Sequence, residues 1–344
     1  MPQLRVLICE DSRSYAQALR RLLESDGEIT VAAVCGSAEE AIRELPRVQP
    51  DLVTMDIELP GMDGLQAVEE IMGSRPLPIL VLSAYVGPGS AKTAAALAAG
   101  ALDAVAKDDL DLRNPSGVAA AVFRRRIAVL SRARVIRHPR SALKPRPGGP
   151  QGRRAAVVGV CSSTGGPQAL ARILAVLPAA YPVPVLVVQH IAAGFTEGLI
   201  QWLSKTVPLP VRPAADGVPA APGVWVAPEG AHLLLAPGGR LSLDRRTAAG
   251  RYRPSGDLLL QSIAREAGPA GVAVVLSGMG SDGAEGAVAV RQRGGLVIAQ
   301  DETSSAVYGM PRAAAERGVD YAVPPARIAA ILLGLRREPL RGKA

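Results

Sequence analysis

Chemically capable side chains follow the short apolar runs of residues 1–110. Glu10 and Asp11 follow the first run, Asp56 the third, Ser83 the fourth and Lys107 the fifth. Carboxylates held close together repel one another unless a hard cation joins them, and oxygen ligands suit Mg²⁺. With that ion bound, the Asp56 carboxylate can attack a phosphoryl group, and Ser83 and Lys107 can contact the phosphoryl oxygens. The spacing therefore predicts a magnesium-dependent phosphorylation site at Asp56.

A second set of reactive groups lies beyond residue 155. Ser163 stands in the segment CSSTGGP, between an apolar run and a helical pattern, where the amides of a helix N-terminus favour negative charge. His190 directly follows another apolar run, and Asp282 lies in SGMGSDGA after a third. Together they can form a triad, in which serine is the nucleophile, histidine takes its proton and aspartate orients the imidazole.

Each member of this triad has a competing interpretation. The serine loop can be a plain helix cap or an anion-binding loop, and the aspartate can be a cap alone. Ser162 and Cys161 stand beside Ser163 as alternative nucleophiles. His232 is the alternative base, whereas His138 lies in a segment that we interpret as a linker.

The elements that must position these residues form two α/β patterns. In the first, five apolar runs alternate with helical patterns, which predicts a flavodoxin-like, five-stranded parallel sheet covered on both faces. The predicted strands are 4–9, 29–34, 52–55, 79–82 and 104–106, and the predicted helices are 15–23, 38–45, 65–72 and 92–99. The carboxyl ends of parallel strands share one edge, so the acidic residues are expected to converge there.

The second pattern predicts a doubly wound α/β domain of hydrolase type, with its site at the carboxyl ends of strands. The predicted strands are 155–160, 183–188, 223–226, 232–236, 272–276 and 296–299, and the predicted helices are 168–177, 197–204, 258–266 and one that ends at 291. A further helix is predicted over 116–136, followed by a segment rich in Pro, Gly and Arg that cannot bury a core. We expect a first domain over 1–125, a helix end and flexible basic linker over 126–153, and a second domain over 154–344.

Charge and composition narrow the function classes. The net charge is −8 over residues 1–110, +11 over 111–154 and +5 over 155–344. Because the excess lies mainly in the linker, and aromatic residues are only 3% of the chain, we do not expect nucleic-acid binding. The N-terminus does not resemble a signal peptide, and no uncharged apolar stretch reaches about 18 residues, so no membrane insertion is expected. Three well-separated cysteines are typical of buried thiols in a reducing, cytoplasmic setting.

The segments ICEDS, VTMDIELPGMDG and VLSAY resemble the receiver domain of bacterial response regulators over residues 4–110. The resemblance implies that a histidine kinase supplies the phosphoryl group to Asp56 in the presence of Mg²⁺. Two residues depart from the pattern: Ala104 stands where receivers often carry an aromatic, and Asp108 stands where Pro usually follows the lysine. These departures leave phosphorylation intact but put the usual aromatic relay in doubt.

The segments SSTGGP, VVQHI, GFT, VLSGMGSDGA and YGMPRAA resemble the chemotaxis methylesterase domain. Almost the whole chain is thus similar to the chemotaxis response-regulator protein-glutamate methylesterases. The resemblance implies that Ser163 is the nucleophile, His190 the base and Asp282 the orienting carboxylate, with the Met279 backbone amide stabilising the oxyanion. The family usually has Gly-Ala before the nucleophile, whereas this chain has Cys-Ser.

The implied reaction is hydrolysis of glutamate methyl esters on a methylated chemoreceptor, with methanol released. The same acyl chemistry would convert receptor glutamines to glutamates, and it needs no cofactor. We expect the receiver to cover the esterase site until Asp56 is phosphorylated, and the Ser163–His190 separation to be near 3 Å. The alternative is a non-catalytic, phospho-switched signalling adaptor. A DNA-binding response regulator would end in a short helix-turn-helix domain, and about 190 residues of α/β pattern argue against it.

Overall fold

A computed structural model describes residues 3–84, 90–133, 135, 152–247 and 252–340 of the chain. The chain divides into two compact units, each built on its own parallel sheet. Most of the expected linker, residues 136–151, lies outside the described residues. The domain boundaries at 125/126 and 153/154 therefore stay predictions.

The described residues of the first unit form a five-stranded parallel sheet and five α-helices. Its strands are β1 (Leu4–Cys9), β2 (Ile29–Cys35), β3 (Leu52–Asp56), β4 (Ile79–Ser83) and β5 (Asp103–Ala106). Its helices are α1 (Arg13–Glu24), α2 (Ala38–Val48), α3 (Gly64–Ser74), α4 (Ser90–Ala99) and α5 (Val118–Leu130). The strand order β2-β1-β3-β4-β5 confirms the predicted flavodoxin-like topology. Every residue of β3 and β4 is buried, as expected for strands covered on both faces.

Helix α5 is shorter than the predicted helix over 116–136. It begins at Val118, and its buried positions, from Ala120 to Leu130, follow helical spacing. The last buried position, Leu130, is also the last residue of the helix, and Ser131 and Arg132 form a turn. The prediction was wrong at this end because residues that favour a helix continue beyond the last position that packs against the core, and packing is what stabilises most helices in proteins.

The second unit contains eleven strands and six helices among the described residues. Its strands are β6 (Arg154–Ala155), β7 (Val157–Ser162), β8 (Val185–Gln189), β9 (Val211–Pro213), β10 (Val224–Val226), β11 (His232–Ala236), β12 (Arg240–Asp244), β13 (Gly271–Val275), β14 (Leu296–Gln300), β15 (Tyr321–Val323) and β16 (Arg336–Arg337). Its helices are α6 (Gly166–Leu174), α7 (Thr196–Thr206), α8 (Gly256–Ala267), α9 (Ala284–Gln292), α10 (Met310–Arg317) and α11 (Pro325–Leu333). Sequence patterns missed β9, β12, β15, β16, α10 and α11, all of which are short elements of two to nine residues.

Seven of these strands form one parallel sheet in the order β15-β14-β13-β7-β8-β10-β9. Successive side chains of β7 enter two different cores. Val158 packs in the core that contains Leu170 of α6 and Ile328 of α11. Val157 packs in the opposite core, which contains Leu260 of α8. Helices therefore cover both faces, and the predicted doubly wound architecture is confirmed.

The central strand β7 lies between β13 and β8. The chain leaves β7 toward β8 and later returns on its other side at β13, so the strand order reverses there. In open α/β sheets, ligands bind outside the carboxyl ends of the strands at such a reversal. The register pairs Ser162 with Gln189, and Cys161 with both Val188 and Val275. The loops after these three strands therefore start side by side.

No helix among the described residues is long and apolar enough to span a bilayer.

Candidate active site

The imidazole of His190 and the carboxylate of Asp282 are in direct contact. His190 Nε2 lies 2.8 Å from Asp282 Oδ2. Both ring nitrogens are buried, and neither makes a well-aligned hydrogen bond among the described residues. Nε2 thus faces the carboxylate at ion-pair distance, and Nδ1 has no such neighbour among those residues.

The Asp282 carboxylate sits at the N-terminus of α8. Its Oδ2 accepts a hydrogen bond from the Gly256 N–H at 2.6 Å, and its Oδ1 accepts from the Asp257 N–H and the Ser255 hydroxyl, each at 3.0 Å. Burial acts to raise the pKa of Asp282, but the contact with His190 and the helix amides outweigh it and lower this pKa to about 2. The residue opposite His190 is therefore an anion throughout the neutral range.

Ser163 opens the loop between β7 and α6 and is half-buried. Its N–H donates to the carbonyl of Ser277 at 3.0 Å, and the His190 N–H donates to the carbonyl of Ser162 at 2.8 Å. These bonds join the loops that follow β13, β7 and β8. The expected hydrogen bond between Ser163 Oγ and His190 is not among the contacts of the described residues. Catalytic hydrogen bonds of this kind are often long before substrate binds.

The side chains of the two alternative nucleophiles, Ser162 and Cys161, are buried in the core. Ser162 is fully buried, and its hydroxyl donates to Gln189 Oε1 at 2.6 Å. Cys161 is also buried, and burial, followed by the charges of Asp282 and Asp257, raises the pKa of its thiol. A thiol that stays protonated is a poor nucleophile. Both findings favour Ser163.

The alternative base, His232, has a structural environment. It is fully buried on β11, its Nδ1 accepts from the Ser255 N–H at 3.1 Å, and its Nε2 lies 3.0 Å from the carbonyl of Thr247. Because Nδ1 is an acceptor, Nε2 carries the proton and donates to that carbonyl. His232 thus fixes the segment that leads into α8, and it has no nitrogen left for a reaction.

The loop that contains Met279 passes against Ser163. A Cβ added to Gly278 would lie 2.7 Å from Ser163 Cβ, so only glycine permits this approach. The Gly278 carbonyl accepts from the Met310 N–H at 2.8 Å, which fixes the loop from its other side. Within the described part of the chain, the Met279 N–H has no acceptor. Met279 as the oxyanion donor stays a prediction.

Sequence reasoning missed Tyr252. Its ring stacks on His190, with 4.4 Å between ring centroids and 9° between ring planes. A Cβ added to Gly280 would lie 2.9 Å from the Tyr252 hydroxyl oxygen, so the tyrosine reaches from the imidazole to the Met279 loop. No local pattern identifies this residue, because it is separated from His190 by more than sixty positions.

Asp257 is a second carboxylate behind Asp282, and it was also missed. It lies in the first turn of α8, and its Oδ1 accepts from the Gly286 N–H of α9 at 2.8 Å. Burial raises the pKa of Asp257, and the negative charge of Asp282 adds to that effect. The site therefore holds one strongly acidic and one weakly acidic carboxyl group.

The predicted acidic cluster forms at the carboxyl edge of the first sheet. Carboxylate oxygens of Glu10, Asp11 and Asp56 lie within 4.8 Å of one another, so their spacing and chemistry fit a divalent cation. Lys107 Nζ lies 2.6 Å from Glu10 and 2.8 Å from Asp56. Ser83 is buried at the end of the neighbouring strand, and its hydroxyl has no partner among the described residues.

An aromatic residue reaches Lys107 from α1. Lys107 Nζ lies 4.6 Å from the centre of the Tyr15 ring. Ala104, at the position where an aromatic would be expected, is fully buried in β5, and its carbonyl accepts from Arg126 at 3.3 Å. Burial raises the pKa of both Glu10 and Tyr15. The cluster is therefore a partly desolvated site in which Lys107 offsets the carboxylate charge.

Two family models match the chain. Residues 158–332 match CheB methylesterase, and residues 6–113 match the response regulator receiver domain. Protein-glutamate methylesterase/protein-glutamine glutaminase 4 of Myxococcus xanthus (strain DK1622) is 42% identical over 90% of this chain and 90% of its own length. Protein-glutamate methylesterase/protein-glutamine glutaminase 3 of Anaeromyxobacter dehalogenans (strain 2CP-C) is 42% identical over 97% of this chain and 100% of its own length.

A solved structure supports the fold of the second unit. The crystal structure of the Thermotoga maritima CheB methylesterase catalytic domain is 40% identical in sequence and has a TM-score of 0.51. The match covers 52% of this chain and 97% of that domain. The residues of the two sites described above all fall within the ranges that the family models match.

Proposed function

This chain belongs to the CheB methylesterase family, and on that premise we propose that Ser163, His190 and Asp282 carry out its reaction. The chain is a protein-glutamate methylesterase and glutaminase with a response regulator receiver domain at its N-terminus. The observation that carries the assignment is the 2.8 Å contact between His190 and an Asp282 carboxylate fixed by the N-terminus of α8.

The first half of the reaction forms an acyl-enzyme. Ser163 Oγ attacks the ester carbonyl carbon while its proton passes to His190 Nδ1, the nitrogen opposite the one that faces Asp282. The carbonyl oxygen becomes an oxyanion, which the Met279 N–H stabilises, and one such donor is typically worth about 3 kcal/mol. The bond to the methoxy group then breaks, His190 returns the proton to it, and methanol leaves.

The second half regenerates the enzyme. His190 removes a proton from water, the resulting hydroxide attacks the acyl carbon, and the bond to Ser163 Oγ breaks. His190 returns the proton to Ser163, and the product is a free glutamate side chain. Asp282 stays ionised throughout and stabilises the imidazolium in both halves. With a glutamine substrate the first half releases ammonia instead of methanol, and the second half is unchanged.

The receiver domain is proposed to accept a phosphoryl group on Asp56 from a histidine kinase. Glu10, Asp11 and Asp56 would hold Mg²⁺, which when bound neutralises the carboxylates and the phosphoryl oxygens. Ser83 and Lys107 lie at the ends of neighbouring strands and are proposed to contact those oxygens. The esterase reaction itself is proposed to need no cofactor.

The proposed substrate is the cytoplasmic part of a methylated chemoreceptor, so the proposed place of action is the cytoplasm. The three free, buried cysteines fit a reducing compartment.

Substitution of the two adjacent serines tests the proposed nucleophile. Ser163→Ala should lower methanol release from a methylated receptor by at least about 10³-fold. Ser162→Ala should lower it by no more than about tenfold, because it removes one buried hydrogen bond. Methanol release at the full rate from Ser163→Ala would sink the serine mechanism and favour the adaptor alternative.

The proposed activation by phosphorylation is tested by measuring the rate of methanol release. Initial rates of methanol release from the full chain are compared with and without a small phosphoryl donor and Mg²⁺, with Asp56→Asn as the control. The donor should raise the rate of the wild-type chain and leave that of Asp56→Asn unchanged. An unchanged wild-type rate, with Asp56 shown to be phosphorylated, would contradict the regulatory proposal.

A further inference from the structure

The side chain of Gln189 lies between the serine loop and the histidine loop. Gln189 is the last residue of β8, directly before His190, and it is buried with 6% exposure. Its Nε2 donates to the carbonyl of Ser163 and to the carbonyl of His190, each at 2.8 Å. Its Oε1 accepts from the Ser162 hydroxyl at 2.6 Å. One amide group thus contacts the backbone of both the proposed nucleophile and the proposed base.

We propose that Gln189 is a positioning residue that sets the separation between Ser163 and His190. The proposal rests on the proposed triad. The two hydrogens of a planar amide group point in fixed directions, so a single Nε2 that binds two carbonyl oxygens holds them at a fixed spacing. Since the carbonyls belong to Ser163 and His190, their backbones cannot separate without breaking a buried hydrogen bond.

The surroundings hold this amide in one orientation. Nε2 faces two carbonyl oxygens, so a rotated amide would turn Oε1 toward two acceptors and lose both of these hydrogen bonds. A Cβ added to Gly166 would lie 2.5 Å from Gln189 Oε1 and 2.6 Å from Ser162 Cβ, so the α6 backbone packs directly against the pair.

The serine loop is also fixed from the opposite side, by a separate set of bonds. The Ser163 N–H donates to the Ser277 carbonyl, and the Ser277 N–H donates to Gln300 Oε1 at 2.9 Å. Gln300 is the last residue of β14, and its Nε2 donates to the Ser304 carbonyl at 2.7 Å. It thus links the loop after β13 to the loop after β14. Among the described side chains, Gln189 is the one whose hydrogen bonds join the backbones of Ser163 and His190.

Replacing Gln189 should lower kcat and leave KM almost unchanged. Gln189→Met keeps the length of the side chain but removes all three hydrogen bonds, and Gln189→Glu keeps the shape but turns a carboxylate toward two carbonyl oxygens. Each should lower kcat by about 10²-fold, the typical cost of a misplaced reacting group. KM should change less than about twofold, because the receptor surface is untouched. Methyl-ester hydrolysis and glutamine deamidation should fall by the same factor, since both need the same attack.

Three further variants separate the outcomes. Ser262→Ala removes a buried hydroxyl that bonds Leu259 and Leu235 in the same unit, and it should lower the thermal midpoint while leaving kcat unchanged. Ser162→Ala should lower kcat by about 2–10-fold, which is one hydrogen bond's worth. Ser163→Ala tests the triad itself. Suppose that Ser163→Ala is inactive, while Gln189→Met is folded and fully active and Ser162→Ala is unaffected. That result would overturn the positioning role of Gln189 and leave the proposed triad standing. An active Ser163→Ala would overturn the proposed mechanism as well.

Discussion

The ring of Tyr252 lies flat against the imidazole of His190, with 4.4 Å between centroids and 9° between planes. Asp282 holds the edge of the same imidazole at Nε2. One face and one edge of His190 are therefore fixed by residues from separate loops. An aromatic face also attracts a cation, so this arrangement favours the imidazolium that forms as Ser163 loses its proton.

Removing the Tyr252 ring should slow the reaction. Tyr252→Leu should lower kcat by about tenfold, which corresponds to a cation–π contact of ordinary strength. Tyr252→Phe keeps the stacked ring and loses only the hydroxyl, so its kcat should stay close to that of the wild type. Rates of methanol release at saturating receptor measure both variants. Equal losses in the two variants would assign the effect to the hydroxyl instead of the ring.

Asp282→Asn should be far more damaging than its small change in shape suggests. An amide cannot balance the imidazolium charge, and it favours the wrong tautomer of His190, a combination that costs about 10⁴-fold in kcat in other triads. An amide oxygen in the place of Oδ1 still accepts from the Asp257 N–H and the Ser255 hydroxyl, whereas the NH2 group in the place of Oδ2 cannot accept from the Gly256 N–H. Steady-state kinetics with a methylated receptor would measure the loss, and circular dichroism would verify the fold. A fall of only a few-fold would remove Asp282 from the triad.

Asp257→Asn should stabilise the second unit at alkaline pH. The folded state raises the pKa of Asp257, so it binds this proton more tightly than the unfolded chain does. The stability that this proton contributes is present in acid and is lost as the pH rises through the raised pKa. An amide cannot ionise, and it still accepts from the Gly286 N–H. The gain in thermal midpoint should therefore be larger at pH 8 than at pH 4.

Differential scanning calorimetry at both pH values would test this difference. Asp216→Asn is the control for the change in net charge, because its carboxylate is exposed on the same unit. A gain that is independent of pH, or equal in the two variants, would contradict the assignment to Asp257.

Lys107→Ala should tighten Mg²⁺ binding to the receiver domain. Lys107 Nζ contacts both Glu10 and Asp56, so a divalent cation must compete with its charge for the same oxygens. Removing that charge should lower the Mg²⁺ dissociation constant by about tenfold, within the range expected for a charge a few ångströms away. Phosphorylation of Asp56 should nevertheless slow, since Lys107 is a proposed partner of the phosphoryl oxygens.

Isothermal titration calorimetry with Mg²⁺ would measure the dissociation constants. Lys92→Ala is a matched control, because Lys92 pairs with Asp63 at 3.0 Å and lies outside the acidic cluster. The substitution therefore removes the same charge without changing the cluster. Equal Mg²⁺ affinities for Lys107→Ala and the wild type would show that the ammonium does not compete.

The sequence by itself determined the first sheet, five of the seven strands of the second sheet, and the polar residues at the ends of those strands. Apolar runs that end in Asp56, His190 or the loop before Asp282 are local signals, because a buried parallel strand needs continuous apolar residues and its end is where polar groups begin. Strand alternation then confines the next residues to one edge, so the acidic cluster and the His190–Asp282 neighbourhood followed from the pattern. The positions of these reactive residues along the chain therefore follow from the sequence pattern.

Only the tertiary structure decided between neighbours. Ser162 and Ser163 differ by one position, but the sheet turns the first toward Gln189 and leaves the second at the surface of the site. The sequence makes His232 a second candidate base, but in the structure its two ring nitrogens bind the Ser255 N–H and the Thr247 carbonyl. Tyr252 lies between β12 and α8 in the sequence, and Asp257 lies in the first turn of α8. Such contacts join residues that are distant in the chain, and they depend on how helices and loops pack on the sheet, which no local spacing encodes.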